Sequence, residues 1–401
     1  MSHRQSAAPH VRRADYLGAA GAFAVCMAGT TLPTPLYGLY QEQIGFSELT
    51  VTVVYAVYAF GVIGVLLVAG DVSDTVGRRP VLLCGLGLAA LSALCFLLEG
   101  GLPLLYLGRL LSGLSAGLFT GAATAYVMEL APPGREARAA FAATAANMGG
   151  LGCGPLLSGI LAQYAPRPLQ TPFLVHLALV AVSFAVTWLL PETVRGARPA
   201  RAVRPRRPAL PPEVRPVFVP AGIAAFVGFS LFGVFTSVAP AFLAQRLGVH
   251  NHAVVGLIVF CAFFASTLGQ LLAGRLGVAR ALPTGCLVLV AGLALLAAAL
   301  AWNALPPLVL SALVGGFGQG LSFRGSVAAV AGAAPEAHRA GAISSLFVVA
   351  YTGISIPVIG VGVLTEPLGL ADAGLVFICC MAPLAACAGG YLLRRPAVTG
   401  A

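Results

Sequence analysis

Long apolar runs alternate with short polar stretches from one end of this chain to the other. The runs fall at 16–37, 49–70, 81–98, 103–129, 139–164 and 172–190, and again at 217–243, 253–274, 282–302, 306–333, 340–364 and 373–393. Charged positions collect between the runs. Each run matches the roughly 20 apolar residues that cross a hydrocarbon core about 30 Å thick as a helix. The pattern therefore predicts an all-α membrane protein with about twelve transmembrane helices.

Composition leaves little room for another reading. Of 401 residues, 59% are hydrophobic and 9% charged, with a mean hydropathy of +0.93, whereas soluble domains are about 25% charged. A net charge of +10 would suggest nucleic acid in a soluble chain, but its distribution excludes that. All 23 basic residues are Arg. With the N-terminus inside, 19 lie in the tails and the loops of one side, two (Arg167 and Arg246) lie on the other, and two (Arg109 and Arg324) sit within apolar runs. This is the positive-inside pattern. It predicts a multi-pass protein of the plasma membrane, the inner membrane in a two-membrane cell, with both termini cytoplasmic. The first run is too long for a cleaved signal core and is read as a retained helix. The nine cysteines lie within apolar segments without metal-ligand spacing, so they read as packing residues.

One stretch breaks the rhythm. Between Glu192 and Pro216, seven Arg and six Pro crowd together, a composition that stays extended and solvated. It divides the chain into a first six-helix unit (1–191), a cytoplasmic linker (192–216) and a second six-helix unit (217–401). The two units also align in register. Pro35 matches Pro240, Gly45 matches Gly248, Cys84 matches Cys286, Pro103 matches Pro306, and Gly113 and Gly117 match Gly316 and Gly320. Parallel repeats of this kind place a substrate site between two pseudo-symmetric bundles near the membrane midplane.

Three local patterns carry more information. The loop after the second run contains Gly70, Asp74, Gly77, Arg78 and Arg79 in the spacing G-x-x-x-D-x-x-G-R-R. Gly70 permits close helix approach, Gly77 a tight turn, and Asp74 can meet a helix N-terminus or an Arg. The fourth run contains Arg109 followed by Gly113 and Gly117, and the fifth reads Gly150-Leu-Gly-Cys-Gly154-Pro155-Leu-Leu-Ser-Gly159. An Arg within a membrane run costs roughly 3 kcal/mol or more unless it faces a cavity or a partner. These motifs resemble those of the major facilitator superfamily, and the third is similar to its antiporter signature, with Ser158 in place of one Gly.

The resemblance implies a fold of two six-helix bundles and alternating access. It also implies a gating loop between the halves at the cytoplasmic side, where Glu129 is a candidate partner of Arg78 or Arg138. It gives Arg109 a role in proton transfer or substrate contact, and Gly150, Gly154, Pro155 and Gly159 a role in helix packing and bending. Arg324, Tyr37, Tyr126 and His176 are further candidates for the cavity or for proton coupling, with Tyr40, Tyr55, Tyr58 and Tyr351 as additional candidate tyrosines. The second-half counterpart of the gating loop, Gly274 to Arg280, lacks the acid, so gating should be asymmetric.

No zinc motif, P-loop or paired intramembrane acids occur in the sequence, so the chain reads as a transporter and not an enzyme. Related drug/proton antiporters often carry an acid in the first helix; here none lies at its midplane. Two transport readings stay open: proton-coupled efflux of drug-like or metabolite molecules, and uptake or exchange of a small polar or anionic metabolite. A receptor or scaffold on the same fold is more remote. Since Arg stays protonated, a coupled carrier needs another titrating group, and Asp15, Asp74, Glu129 and His176 are the candidates. The expected partners are the lipid bilayer, a small-molecule substrate and, for a coupled carrier, protons. A monomer without nucleic acid, metal or cofactor is expected.

Overall fold

The computed structural model describes residues 14–69, 72–98, 100–194 and 210–394. Among these it contains helices and no strand, and twelve of the helices are long and apolar enough to cross a membrane. Six form the first half: α1 (Asp15–Thr31), α2 (Glu48–Ala69), α3 (Arg78–Leu97), α4 (Leu102–Glu129), α5 (Glu136–Tyr164) and α6 (Thr171–Leu189). The second half comprises α7 (Arg215–Ser237), α8 (His252–Leu276), α9 (Val278–Trp302), α10 (Leu305–Ala333), α11 (Glu336–Leu368) and α12 (Leu370–Arg394). Hydrocarbon offers backbone groups no partner, so each crossing segment closes its own hydrogen bonds as a helix. Large apolar side chains such as Phe60, Val182, Leu189 and Val219 remain exposed on the outside, the surface that lipid covers.

The duplication read from the sequence reappears as packing. In the first half α1 packs on α5, α2 on α4, and α3 on α4. Adding six to each number gives the second-half pairs α7 with α11, α8 with α10, and α9 with α10, all present. The halves meet through α5 against α8 and α2 against α11, which exchange under the same rule. The first helix of each half also ends early in the same way. After Thr31 the chain passes through a 3-10 turn (Thr34–Leu36) into a short helix, Tyr37–Ile44, and after Ser237 it continues as Ala239–Gln245. Pro33, Pro35 and Pro240 lack the N–H that an unbroken helix would need. The predicted runs 16–37 and 217–243 are thus each two helices.

Candidate functional site

A cavity lies between the halves, lined by residues of both. Arg109, from α4, forms part of its wall and is 1% exposed. The guanidinium donates through Nη1 to the Thr30 carbonyl (2.5 Å) and through Nη2 to the Tyr55 carbonyl (3.4 Å), while Nε has no partner. It also lies over the rings of Tyr55 and Tyr58, 5.2 and 5.0 Å from their centroids. These tyrosines share a face of α2 because they are three residues apart. Helix α4 can carry its Arg this close because Gly113 and Gly117 lie against α2. A Cβ on Gly113 would stand 2.1 Å from the Tyr58 carbonyl oxygen.

The second half supplies an aromatic wall. Phe229, Phe323, Phe347 and Tyr351 form a continuous set of ring contacts, with centroids 5.2 to 6.4 Å apart. Tyr351 reaches Tyr58 across the interface at 6.1 Å. Gln319, fully buried in α10, accepts a hydrogen bond from Ser266 at Oε1 (2.6 Å). Ser266 in turn faces Gln270 Nε2 at 3.4 Å.

The remaining cavity candidates lie elsewhere. His176 is 2% exposed, and neither ring nitrogen has a hydrogen-bond partner. It borders a separate chamber inside the first half, lined among others by Cys26, Thr30, Ser92, Ser112 and Ser115. Thr30 lines both spaces. The imidazole rests on Gly29, where a Cβ would lie 2.3 Å from Nε2. Tyr37 is buried beside an indentation at the end opposite the termini, and Tyr126 donates to the Pro191 carbonyl (2.7 Å) near the α6 end. Arg324 departs from the expected inward orientation. It is exposed and does not line the cavity. Its neighbour Phe323 does, and successive helix residues point about 100° apart.

At the end carrying the termini, the loop between α2 and α3 forms a cluster within the first half. Arg78 pairs with Asp74 and with Glu129 (Nη2 to Oε1 3.0 Å) and donates to Ser73 (2.6 Å). Gly77 adopts φ +114°, which favours glycine, and its missing side chain leaves room for Glu192. The Glu192 carboxylate accepts from the backbone N–H groups of Arg78 and Arg79 (both 3.0 Å) at the start of α3, and Thr193 donates to Glu129 (2.5 Å). Arg79 lies over the Trp188 ring. Arg138 stays exposed outside this cluster, and Gly70 lies outside the described residues. The contacts named here all belong to the first half or the start of the linker, not to the opposite half.

The glycines of α5 serve two interfaces. A Cβ on Gly150 or Gly154 would strike carbonyl oxygens of α1, at 2.5 Å (Ala24) and 2.2 Å (Ala28). On the other side, one on Gly159 would lie 2.3 Å from the His252 carbonyl of α8, and the Pro155 carbonyl faces Gly256. Hydrogen bonds join the halves at the same far end, from Gln245 to Glu48 (2.7 Å) and from the His252 N–H to Gln163 (3.0 Å).

Sequence reasoning missed Glu192, Gln319 and the phenylalanine wall. The signal for Gln319 was a lone amide inside the Gly315–Gly320 run; the phenylalanines resemble lipid-facing ones until the fold places them.

Comparison with known proteins agrees with this architecture. The chain is 37% identical over 118 residues to the class B tetracycline resistance protein of Escherichia coli, covering 29% of this chain and 28% of that protein. It is 28% identical to the class D tetracycline resistance protein of Salmonella ordonez over 87% of this chain and 88% of that one. The quinolone resistance protein NorA of Staphylococcus aureus matches at 24% over 40% and 41% of the two chains. Among solved structures, a POT family transporter in complex with 5-aminolevulinic acid superposes with a TM-score of 0.74 at 14% identity, over 96% of both chains. A bacterial homologue of the human lysosomal transporter Spinster, inward-facing and unoccupied, gives 0.71 at 16%, over 97% of this chain and 99% of that one. Residues 19–276 match the Major Facilitator Superfamily profile, and the chain belongs to that family of membrane transporters.

Proposed function

We propose that this transporter exports small drug-like or metabolite molecules in exchange for protons, with the substrate in the central cavity and His176 as the group that changes protonation. The observation carrying the reading is the shared wall between the two spaces. Arg109 in the substrate cavity holds the Thr30 carbonyl, and Thr30 borders the chamber of His176. Around the imidazole, Thr30, Ser92, Ser112 and Ser115 donate their hydroxyl protons to backbone carbonyls. Their oxygens retain acceptor lone pairs, which suit a protonated ring. Asp74 and Glu129 are engaged with Arg78 at the end of the bundle, far from this wall. The resistance proteins among the relatives support the outward direction, and the glycine contacts between α5 and α8 support a state closed at the end opposite the termini.

The test is flux in proteoliposomes with imposed pH gradients, using right-side-out and inverted vesicles. Export by proton exchange requires that substrate movement accelerate when the imposed gradient drives protons the opposite way across the vesicle membrane. His176→Gln should keep substrate binding but lose the acceleration. A wild-type flux indifferent to the gradient removes proton coupling, and a fully gradient-driven His176→Gln protein removes His176 as its carrier. Uptake as the working direction would appear as accumulation in the opposite vesicle orientation.

A further inference from the structure

The environment of Arg109 says more about the substrate than about the proton. Among the described residues every acid lies at a helix end or in a loop, and Arg109 takes part in no ion pair there. Its surroundings consist of two backbone carbonyls and two tyrosine faces. Carbonyls and π-faces solvate a cation without neutralising it, and a buried charge is stable mainly when paired. The guanidinium also keeps one donor, Nε, without a partner. Across the cavity, the hydrogen bond from Ser266 uses the carbonyl oxygen of Gln319, so the amide nitrogen is the end of that side chain that donates. The one charged group lining the cavity, Arg109, is a donor. Most of the remaining wall is aromatic.

We infer that the central cavity takes a planar aromatic anion, its carboxylate or equivalent oxygens bound by Arg109 and its ring held among Phe229, Phe323, Phe347 and Tyr351. This rests on the cavity being the transport site, and it is independent of direction and of proton coupling. Such a ligand touches both halves at once: the charge meets the first half and the ring meets the second. A lipophilic cation of the same shape would meet an uncompensated like charge with no acid to offset it.

Three probes of one shape test this on the purified full-length protein in nanodiscs at neutral pH: 2-naphthoate, 2-naphthamide and 2-naphthylmethylammonium, with binding measured by calorimetry. A hydrogen-bonded charge contributes about 1.5–3 kcal/mol, so naphthoate should bind about 10- to 150-fold more tightly than the amide, and the cation more weakly than both. Arg109→Gln should bring naphthoate to the level of the amide without weakening the amide, and Phe347→Ala should weaken both equally. Equal binding of the three probes, or preference for the cation, overturns the inference on wild-type protein alone, whatever the variants do. Naphthoate selectivity that survives Arg109→Gln overturns the role of Arg109. Because this measures binding and not flux, failure of proton-driven export in vesicles would leave the result standing.

Discussion

Replacing Gly256 by alanine would place a methyl group 2.2 Å from the Pro155 carbonyl oxygen and 2.8 Å from its carbon. Nonbonded carbon contacts settle at about 3.5–4.0 Å, and the obstacle is backbone, so α8 must move away from α5 by roughly 1 Å. Overpacking of this kind costs about 1–3 kcal/mol. The contact joins the two halves, so the cost falls on the state in which they meet at the far end and spares the one in which they separate there. A shift of 1–3 kcal/mol corresponds to about a 5- to 150-fold change in the balance of states. Ser237 lines the indentation at that end and can report the change. In a chain with the native cysteines replaced, Ser237→Cys should react with a membrane-impermeant maleimide about fivefold faster or more once Gly256→Ala is added. Gly154→Ala is the control. Its methyl would lie 2.2 Å from the Ala28 carbonyl oxygen within the first half, so it should lower thermal stability without raising labelling. Unchanged labelling in Gly256→Ala, or an equal rise in a stable Gly154→Ala protein, would refute the assignment of this contact to one access state.

Asp74→Asn should reduce flux while leaving membrane insertion intact. Its effect should be partial, since Arg78 keeps Glu129, and near-complete loss should need Glu129→Gln as well; wild-type flux in the double variant would exclude a gating role. Glu192→Ala removes the carboxylate from the first two N–H groups of α3 and should cost about 1 kcal/mol, read as a lowered melting temperature, whereas Glu192→Asp should recover part of it.

The fold was legible because its causes are local. Twelve apolar runs and the placement of Arg follow from the cost of charge and open backbone in hydrocarbon, and the register of Pro35 with Pro240 or Gly117 with Gly320 exposes the repeat. The site was only partly legible. Arg109 stood out because an intramembrane charge is costly, but by the same rule Arg324 looked equivalent, and one step around the helix from Phe323 decides otherwise. Gly150, Gly154 and Gly159 announced close packing without saying against which helix. The phenylalanine wall carried no signal, because an apolar ring inside a membrane run reads the same whether it faces lipid or substrate. Glu192 was hidden by its place beside the Arg-rich linker, where an acid looks solvated until Gly77 opens a place for it.

The missing acid of the first helix and the unpaired Arg109 fit together once substrate and proton sites are considered jointly. A carrier with a midplane carboxylate can neutralise its own buried Arg, and the empty cavity is then comfortable. In this chain the guanidinium is held by the Thr30 and Tyr55 carbonyls and two ring faces, a shell that fixes its position but leaves its charge. Closing the halves around an empty cavity would remove water from that charge with nothing in return, whereas closing around a bound anion would bury a pair. The differential is what allows a ligand to bias one state over another. Arg109 would then act as the element that makes occlusion depend on occupancy. The separate chamber of His176 would let protonation change the field on Thr30 and Arg109 without a carboxylate competing for the substrate's place.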